Sequence, residues 1–92
     1  MKQTAFRRWK YDAVQLIRDF TAERLKKFFI ADDLILHAWR VKFPEPDDNR
    51  WWGQALQEAR DLGIIRAGAI PGYCAKRRHK TTLWWIGGAH HA

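Results

Sequence analysis

The feature that most constrains this chain is a short basic run between two apolar segments near its carboxyl end. The run consists of Lys76, Arg77, Arg78, His79 and Lys80. Residues 64–69 and 81–86 on either side are short, and the second of them is rich in the threonine, tryptophan and isoleucine that favour strands. Pro71 and Gly72 predict a turn before the run. Together these features predict an antiparallel β-hairpin with a cationic loop at its tip.

Two amphipathic helices are predicted at the start of the chain, with a short strand between them. Residues 4–26 carry apolar side chains at helical spacing, namely Phe6, Trp9, Ala13, Leu16, Ile17 and Phe20. Residues 28–30 are apolar but too few for another helix, and they predict one short strand. The second helix is predicted over residues 31–41, since carboxylates suit its first turn at Asp32 and Asp33. Its core-facing stripe is expected to be Leu34, Ile35, Ala38 and Trp39.

A third helix is predicted over residues 49–62. Pro44 and Pro46 are expected to end the second helix, and Asp47, Asp48 or Asn49 can cap the third. Its buried stripe is predicted to be Trp52, Ala55, Leu56, Ala59 and Leu62, and Gly63 follows as a helix stop.

Composition limits the classes of function. The chain has 92 residues, 47% of them apolar, which suits one compact domain over residues 1–88 with a flexible tail over residues 89–92. A net charge of +7 favours an acidic partner, either nucleic acid or an anionic membrane, although such charge can also serve only solubility. Cys74 is alone, so no internal disulfide forms. With no long apolar run and no secretory signal, we expect a cytoplasmic protein of a bacterium or phage-infected cell without a membrane span. No membrane partner is expected either, because the core explains the apolar stripe of the basic first helix better than a membrane surface does.

Several short motifs carry a family resemblance over roughly residues 9–86. The stretch Phe29-Ile30-Ala31-Asp32-Asp33-Leu34 resembles the strand entry and helix opening of small bacterial and phage winged-helix proteins. The Pro44-Glu45-Pro46 turn, Trp52-Gly53 and residues 59–65 are similar to their proline-rich turn and recognition helix. The resemblance implies a mainly α fold with a small β-hairpin: a winged helix of three helices and a two- to three-stranded antiparallel sheet. It also implies duplex DNA binding, with helix three in the major groove and the hairpin as the wing.

The candidate DNA-binding residues fall on the hairpin and on helix three. The basic run is the first group, because four cations within five residues repel one another unless a polyanion compensates them. Tyr73, at the base of the hairpin, can stack or simply pack. Arg50 can contact a phosphate, and Gln54 and Gln57 can read base edges, although ordinary exposed surface explains them as well. A basic amino-terminal arm is a third candidate surface, formed by Lys2, Arg7, Arg8 and Lys10.

The tryptophans form a separate group of candidates. Trp52 is expected in the core, and Trp51, its neighbour on a helix, cannot share that face. Trp51 is therefore expected to be exposed, beneath the hairpin or at a subunit contact, and it joins the candidate DNA-binding residues. Strand alternation sends one of Trp84 and Trp85 inward and the other outward, where it can stack on an unpaired base, make a dimer contact or cover the sheet.

No catalytic, metal or cofactor site is predicted. Serine is absent, the paired aspartates suit helix starts, and the histidines and Cys74 lack metal-ligand spacing. The sequence predicts a non-enzymatic, low-specificity DNA-binding protein of phage or bacterial replication or transcription. Duplex DNA is the expected partner, with single-stranded or forked DNA and a homo-oligomer left open. The alternative is a protein–protein interaction module that uses an aromatic patch.

Overall fold

The computed structural model describes residues 2–24, 27–68, 72–74 and 79–86, with only the backbone for residues 2–4, 73, 74, 79 and 80. The described chain is mainly helical, with α1 over Lys2–Glu23, α2 over Ala31–Arg40 and α3 over Arg50–Asp61. Its strands are β1 (Phe28–Phe29), β2 (Ile65–Ala67), β3 (Gly72–Cys74), β4 (His79–Thr81) and β5 (Trp84–Ile86). The three predicted helices and the short strand after the first are thus confirmed in kind and order.

The core lies where α1 and α3 pack on the inner face of a small sheet. The predicted stripe of α1 is buried at Trp9, Ala13, Ile17 and Phe20. On α3 the buried residues are Trp52, Ala55, Leu56 and Ala59, as the apolar spacing predicts. The sheet adds Phe29, Ile65 and Trp84 to the same cluster. The amphipathic pattern of these two helices therefore fixes how they pack.

The first helix ends earlier than predicted. It stops at Glu23, and Arg24 outside it donates from Nε to the carbonyl of Phe28 over 3.3 Å. The same guanidinium lies 3.5 Å from the Asp33 carboxylate of α2. Arg24 therefore links the end of α1 to both of the elements that follow it.

The second helix is only partly as predicted. Leu34 and Ala38 are buried and Ile35 is partly buried, but Trp39 is 63% exposed, so its assignment to the core was wrong. A helix that touches its neighbours along one narrow stripe buries an i, i+4 pair, and the next residue lies about 100° around the axis. At the amino end, the Asp33 carboxylate accepts a hydrogen bond from the Ile30 backbone N–H over 3.1 Å. This bond satisfies a free donor although Ile30 has no hydroxyl of its own.

Two helices end in the same left-handed turn. After α3, Gly63 has a φ of 81°, and the N–H of Ile64 bonds to the carbonyl of Ala59 over 3.0 Å. After α2, Lys42 has a φ of 59°, and the N–H of Phe43 bonds to the carbonyl of Ala38 over 2.8 Å. Both are Schellman motifs. The glycine stop is confirmed, whereas α2 ends at a left-handed lysine ahead of the prolines.

The turn after α3 also corrects one core residue. Leu62, predicted to be buried, is 56% exposed at the last position before the chain reverses. Ile64 packs against the core from beyond the turn instead.

The three-stranded sheet is antiparallel, with the order β1-β5-β2. Trp84 pairs with Phe29 on one side and Ala67 on the other, and Trp85 pairs with Phe28 and Arg66. Residues directly opposite one another in antiparallel strands point to the same face. Trp84 is buried and Trp85 is not, so the predicted alternation of this pair is confirmed.

The carboxyl-terminal hairpin is longer and more broken than predicted. Instead of two continuous strands, β2 pairs with β5, and β3 pairs with β4 in a separate two-stranded sheet. The N–H of Gly68 donates to the carbonyl of Leu83 over 2.7 Å and extends the first ladder. Gly72 was expected in the turn but begins β3 opposite Thr81. A Cβ there would lie 2.8 Å from Cγ2 of Ile30, so glycine permits this close approach.

Candidate nucleic-acid interface

The hairpin carries the basic run, and the described part of the chain shows how the run is framed. Cys74 pairs with His79 and Tyr73 with Lys80, so the last two residues of the run belong to strand β4 and not to a loop. Lys76, Arg77 and Arg78 lie outside the described residues, as do the side chains of Tyr73, His79 and Lys80. In sequence, residues 75–78 connect two strands that pair with each other.

The exposed side of α3 brings three predicted site residues together. Arg50, Gln54 and Gln57 follow one another at i, i+4 and i+7, and all three side chains are exposed. The core occupies the opposite side of the helix through Trp52, Ala55, Leu56 and Ala59. We call the row of Arg50, Gln54 and Gln57 the outer face of α3.

Arg50 already has an anionic partner at the start of α3. Its Nη2 lies 2.9 Å from Oδ2 of Asp48, and its Nε donates to the same carboxylate. Oδ1 of Asp48 also accepts the backbone N–H of Arg50 over 2.9 Å and so caps the first N–H of α3, while the side chain of Asn49, directly before the helix, makes no cap bond. These bonds from the Arg50 side chain and then from its backbone lower the pKa of Asp48, and the carboxylate in turn raises the pKa of Arg50. A phosphate at Arg50 would therefore compete with this carboxylate for the guanidinium.

The acidic residues of α3 are also paired. Oε1 of Glu58 lies 3.8 Å from Nζ of Lys10 on α1, so Glu58 is turned toward the neighbouring helix. Asp61 lies 3.7 Å from its neighbour Arg60. Lys10, predicted as part of a basic amino-terminal arm, therefore serves the contact between two helices. Arg7 and Arg8 of the same arm are exposed on α1 itself.

Trp51 belongs to an aromatic cluster between α1 and α3. Its ring lies 5.0 Å from that of Phe6 and 5.8 Å from that of Trp9. Trp9 also stacks edge-on against Trp52 and donates its indole N–H to the carbonyl of Pro44 over 2.9 Å. Trp51 is half-buried against α1, which differs from the expected placements on the surface, beneath the hairpin or at a subunit contact. The spacing of Phe6 and Trp9 on α1 was a signal for it.

The outer face of the sheet carries a row that the sequence analysis identified only in part. Trp85 is its centre, with the Phe28 ring 5.3 Å away and the Arg66 guanidinium 5.6 Å above the indole. Phe28 and Arg66 were not candidates, because pairing across three strands is needed to bring them to Trp85. We call Phe28, Trp85 and Arg66 the outer sheet row.

A shallow groove lies between the end of α1 and α2. Its volume is about 280 Å³, and it is lined by Phe20, Glu23, Arg24, Asp33, Leu36, His37 and Arg40. Acidic and basic side chains are mixed in it, and they partly pair with each other through Arg24 and Asp33. The groove therefore has no strong electrostatic preference.

No family model, curated protein or solved structure matches this chain. Its function is therefore inferred from its sequence and geometry. Within the described residues, no three His, Cys, Asp or Glu side chains are grouped so that they could hold a metal ion. None of the described helices has the length and apolar character that a membrane span requires.

Proposed function

We propose that this protein is a winged-helix protein that binds duplex DNA with low sequence specificity. In this proposal the outer face of α3 enters the major groove and the hairpin lies along the phosphate backbone. The observation that carries the proposal is the position of the basic run, which begins between two paired strands and continues into one of them. Four cations so close together repel one another, and a polyanion relieves that repulsion.

Low specificity is supported by the chemistry of the outer face of α3. Base edges are distinguished mainly by arginine on guanine and by asparagine or glutamine on adenine. Arg50 is held by Asp48, which leaves Gln54 and Gln57 as the exposed groups of that face suited to this task. Phosphate contacts position a protein without reading sequence, and a chain with a charge of +7 is well supplied for them.

Two double variants can separate a specific contribution of the hairpin to DNA binding from the effect of net charge alone. Replacing Arg77 and Arg78 by alanine together should weaken binding to a duplex of random sequence and leave the melting temperature unchanged. Because two phosphate contacts are lost, the negative slope of log K against log salt should become less steep by about 1.8. The matched control replaces Arg7 and Arg8, two exposed arginines on α1, which removes the same charge. An equal loss from both pairs would mean that the hairpin has no special part, and unchanged binding of the hairpin variant would contradict the proposal.

A second candidate function is a protein-interaction module, and it is favoured by exposed apolar side chains on α2. Leu36 and Trp39, neighbours at i, i+3, are 47% and 63% exposed. If this surface binds a second copy of the chain, sedimentation should give a mass above 10.9 kDa without DNA. Trp39→Ala should then restore the monomer. A monomeric wild-type protein would exclude this use of α2.

A further inference from the structure

The outer sheet row has the composition of a stacking surface. Phe28, Trp85 and Arg66 lie on three neighbouring strands, and the pairings Phe28 to Trp85 and Trp85 to Arg66 place them side by side. The inner face of the same strands is filled by Phe29, Trp84 and Ile65 of the core. The row therefore takes no part in packing the core, and Phe28 remains 41% exposed.

The indole of Trp85 is held in place from two sides. The Arg66 guanidinium lies over its ring, and a Cβ on Gly68 would come within 2.5 Å of its Nε1. Glycine at this position thus allows the indole edge to lie directly against the backbone beyond β2. A large aromatic side chain fixed in one orientation loses less entropy when a second ring stacks on it.

The charges around the row favour an anionic occupant. Arg66, at one end of the row, has an exposed side chain. Among the described residues, carboxylates lie close to Lys10, Arg24, Arg50 and Arg60, but none pairs with Arg66. Aromatic rings beside an unpaired cation suit a strand that offers bases and phosphates in alternation. In a duplex the faces of the bases are stacked on each other and cannot reach such a row.

We infer that the outer sheet row binds unpaired bases of single-stranded DNA, with Trp85 as the stacking residue and Arg66 on the phosphates. The inference rests on the proposed function in taking DNA as the partner. It adds a second surface, which engages an unpaired strand where the outer face of α3 and the hairpin engage the duplex. A fork or a melted region offers both forms of DNA together.

The test uses oligothymidine, which has no duplex structure, beside a duplex of random sequence. Trp85→Ala should weaken oligothymidine binding by about 5- to 160-fold, which corresponds to the loss of one base stack, and should leave duplex binding unchanged. Trp85→Phe should restore most of the affinity, because a ring remains. Oligothymidine should also quench tryptophan fluorescence in the wild-type protein and do so less in Trp85→Phe. The matched control is Tyr11→Ala, which removes an exposed aromatic side chain from α1 and should change neither affinity.

Arg66→Ala guards against a folding defect in Trp85→Ala, since it alters an exposed side chain and should also weaken oligothymidine binding. Duplex binding without any oligothymidine binding would overturn this inference and leave the proposed function intact. Oligothymidine binding that depends on Trp85, in a protein that does not bind duplex, would support the inference and contradict the proposed function. A mass above 10.9 kDa that falls to the monomer in Trp85→Ala would assign the row to a second copy instead.

Discussion

At the scale of single residues, the start of α3 shows how one carboxylate can limit a binding surface. Asp48 caps the helix through the backbone N–H of Arg50 and holds the Arg50 guanidinium as well. The Arg50 side chain is nevertheless 89% exposed, so it remains within reach of a phosphate. A surface ion pair of this kind contributes little to stability. In the proposed DNA complex, its main consequence is that Arg50 presents less positive charge to the phosphates.

Asp48→Asn should therefore strengthen duplex binding at low salt. The amide oxygen can still accept the Arg50 N–H, so the cap is kept while the negative charge is removed. A freed Arg50 that neutralises one more phosphate should make the salt slope steeper by about 0.9. The matched control is Glu58→Gln, which removes the same charge from α3 on the side that faces Lys10. Equal gains from both variants, measured by fluorescence anisotropy, would show that Arg50 makes no contact of its own.

At the scale of elements, the two Schellman turns can be compared with each other, because one places a glycine and the other a lysine in the left-handed region. Gly63 adopts its φ of 81° without cost, whereas Lys42 adopts 59° with a side chain that disfavours this region. Both turns are otherwise alike, with an apolar residue packed just beyond each of them at Ile64 and Phe43. The end of α2 is therefore strained where the end of α3 is not.

Lys42→Gly should stabilise the protein by about 0.5–1 kcal/mol, since relief of the left-handed strain exceeds the added freedom of the unfolded chain. Gly63→Ala should destabilise it by about 1 kcal/mol for the opposite reason. Val41→Gly is the control, because Val41 has a φ of −95° and glycine there brings only the entropic cost. Urea unfolding would measure the change in the free energy of unfolding for all three variants, provided that the m-value stays the same. A loss of stability in Lys42→Gly as large as in Val41→Gly would contradict the strain argument.

How far the sequence predicts each element depends on what decides its position. The helices follow from apolar spacing, which is local, and α1 and α3 bury most of their expected residues. The exposure of Trp39 and Leu62 depends on how many neighbours a helix has, which spacing does not report. Gly68 and Gly72 lie close to Trp85 and Ile30, so that a Cβ at either glycine would collide with those side chains. Those contacts join residues far apart in the chain, so no local pattern predicts them.

The candidate site was predicted to a lesser extent than the fold. Gln54 and Gln57 are exposed on α3 as helical spacing requires, and Trp85 points outward as strand alternation requires. The pairing of Arg50 with Asp48 was not foreseen, because Asp48 was considered only as a cap. Phe28 and Arg66 could not be found before the strand order β1-β5-β2 was known.

At the scale of the whole molecule, positive charge is distributed unevenly between paired and unpaired groups. In the described part of the chain, Lys10, Arg24, Arg50 and Arg60 lie within 4.0 Å of a carboxylate. The whole chain has seven more lysines and arginines than carboxylate side chains, which gives a net charge of +7. Among the described residues, the cations without a carboxylate partner include the exposed Arg66, and the basic run adds four more lysines and arginines close together in sequence. Surplus cations of this kind favour counterion release as the main source of binding free energy.

Two unrelated duplexes of equal length should consequently bind with the same affinity, and both affinities should fall steeply as salt is raised. Each phosphate neutralised contributes about −0.9 to the slope of log K against log salt, so the slope counts the contacts. Binding titrations by fluorescence anisotropy at several salt concentrations would measure it for both duplexes. Parallel, superimposed lines are expected, because Gln54 and Gln57 supply little discrimination between bases. A large offset between the two lines would mean that the outer face of α3 reads sequence, while a flat line would remove phosphate contact as the basis of binding.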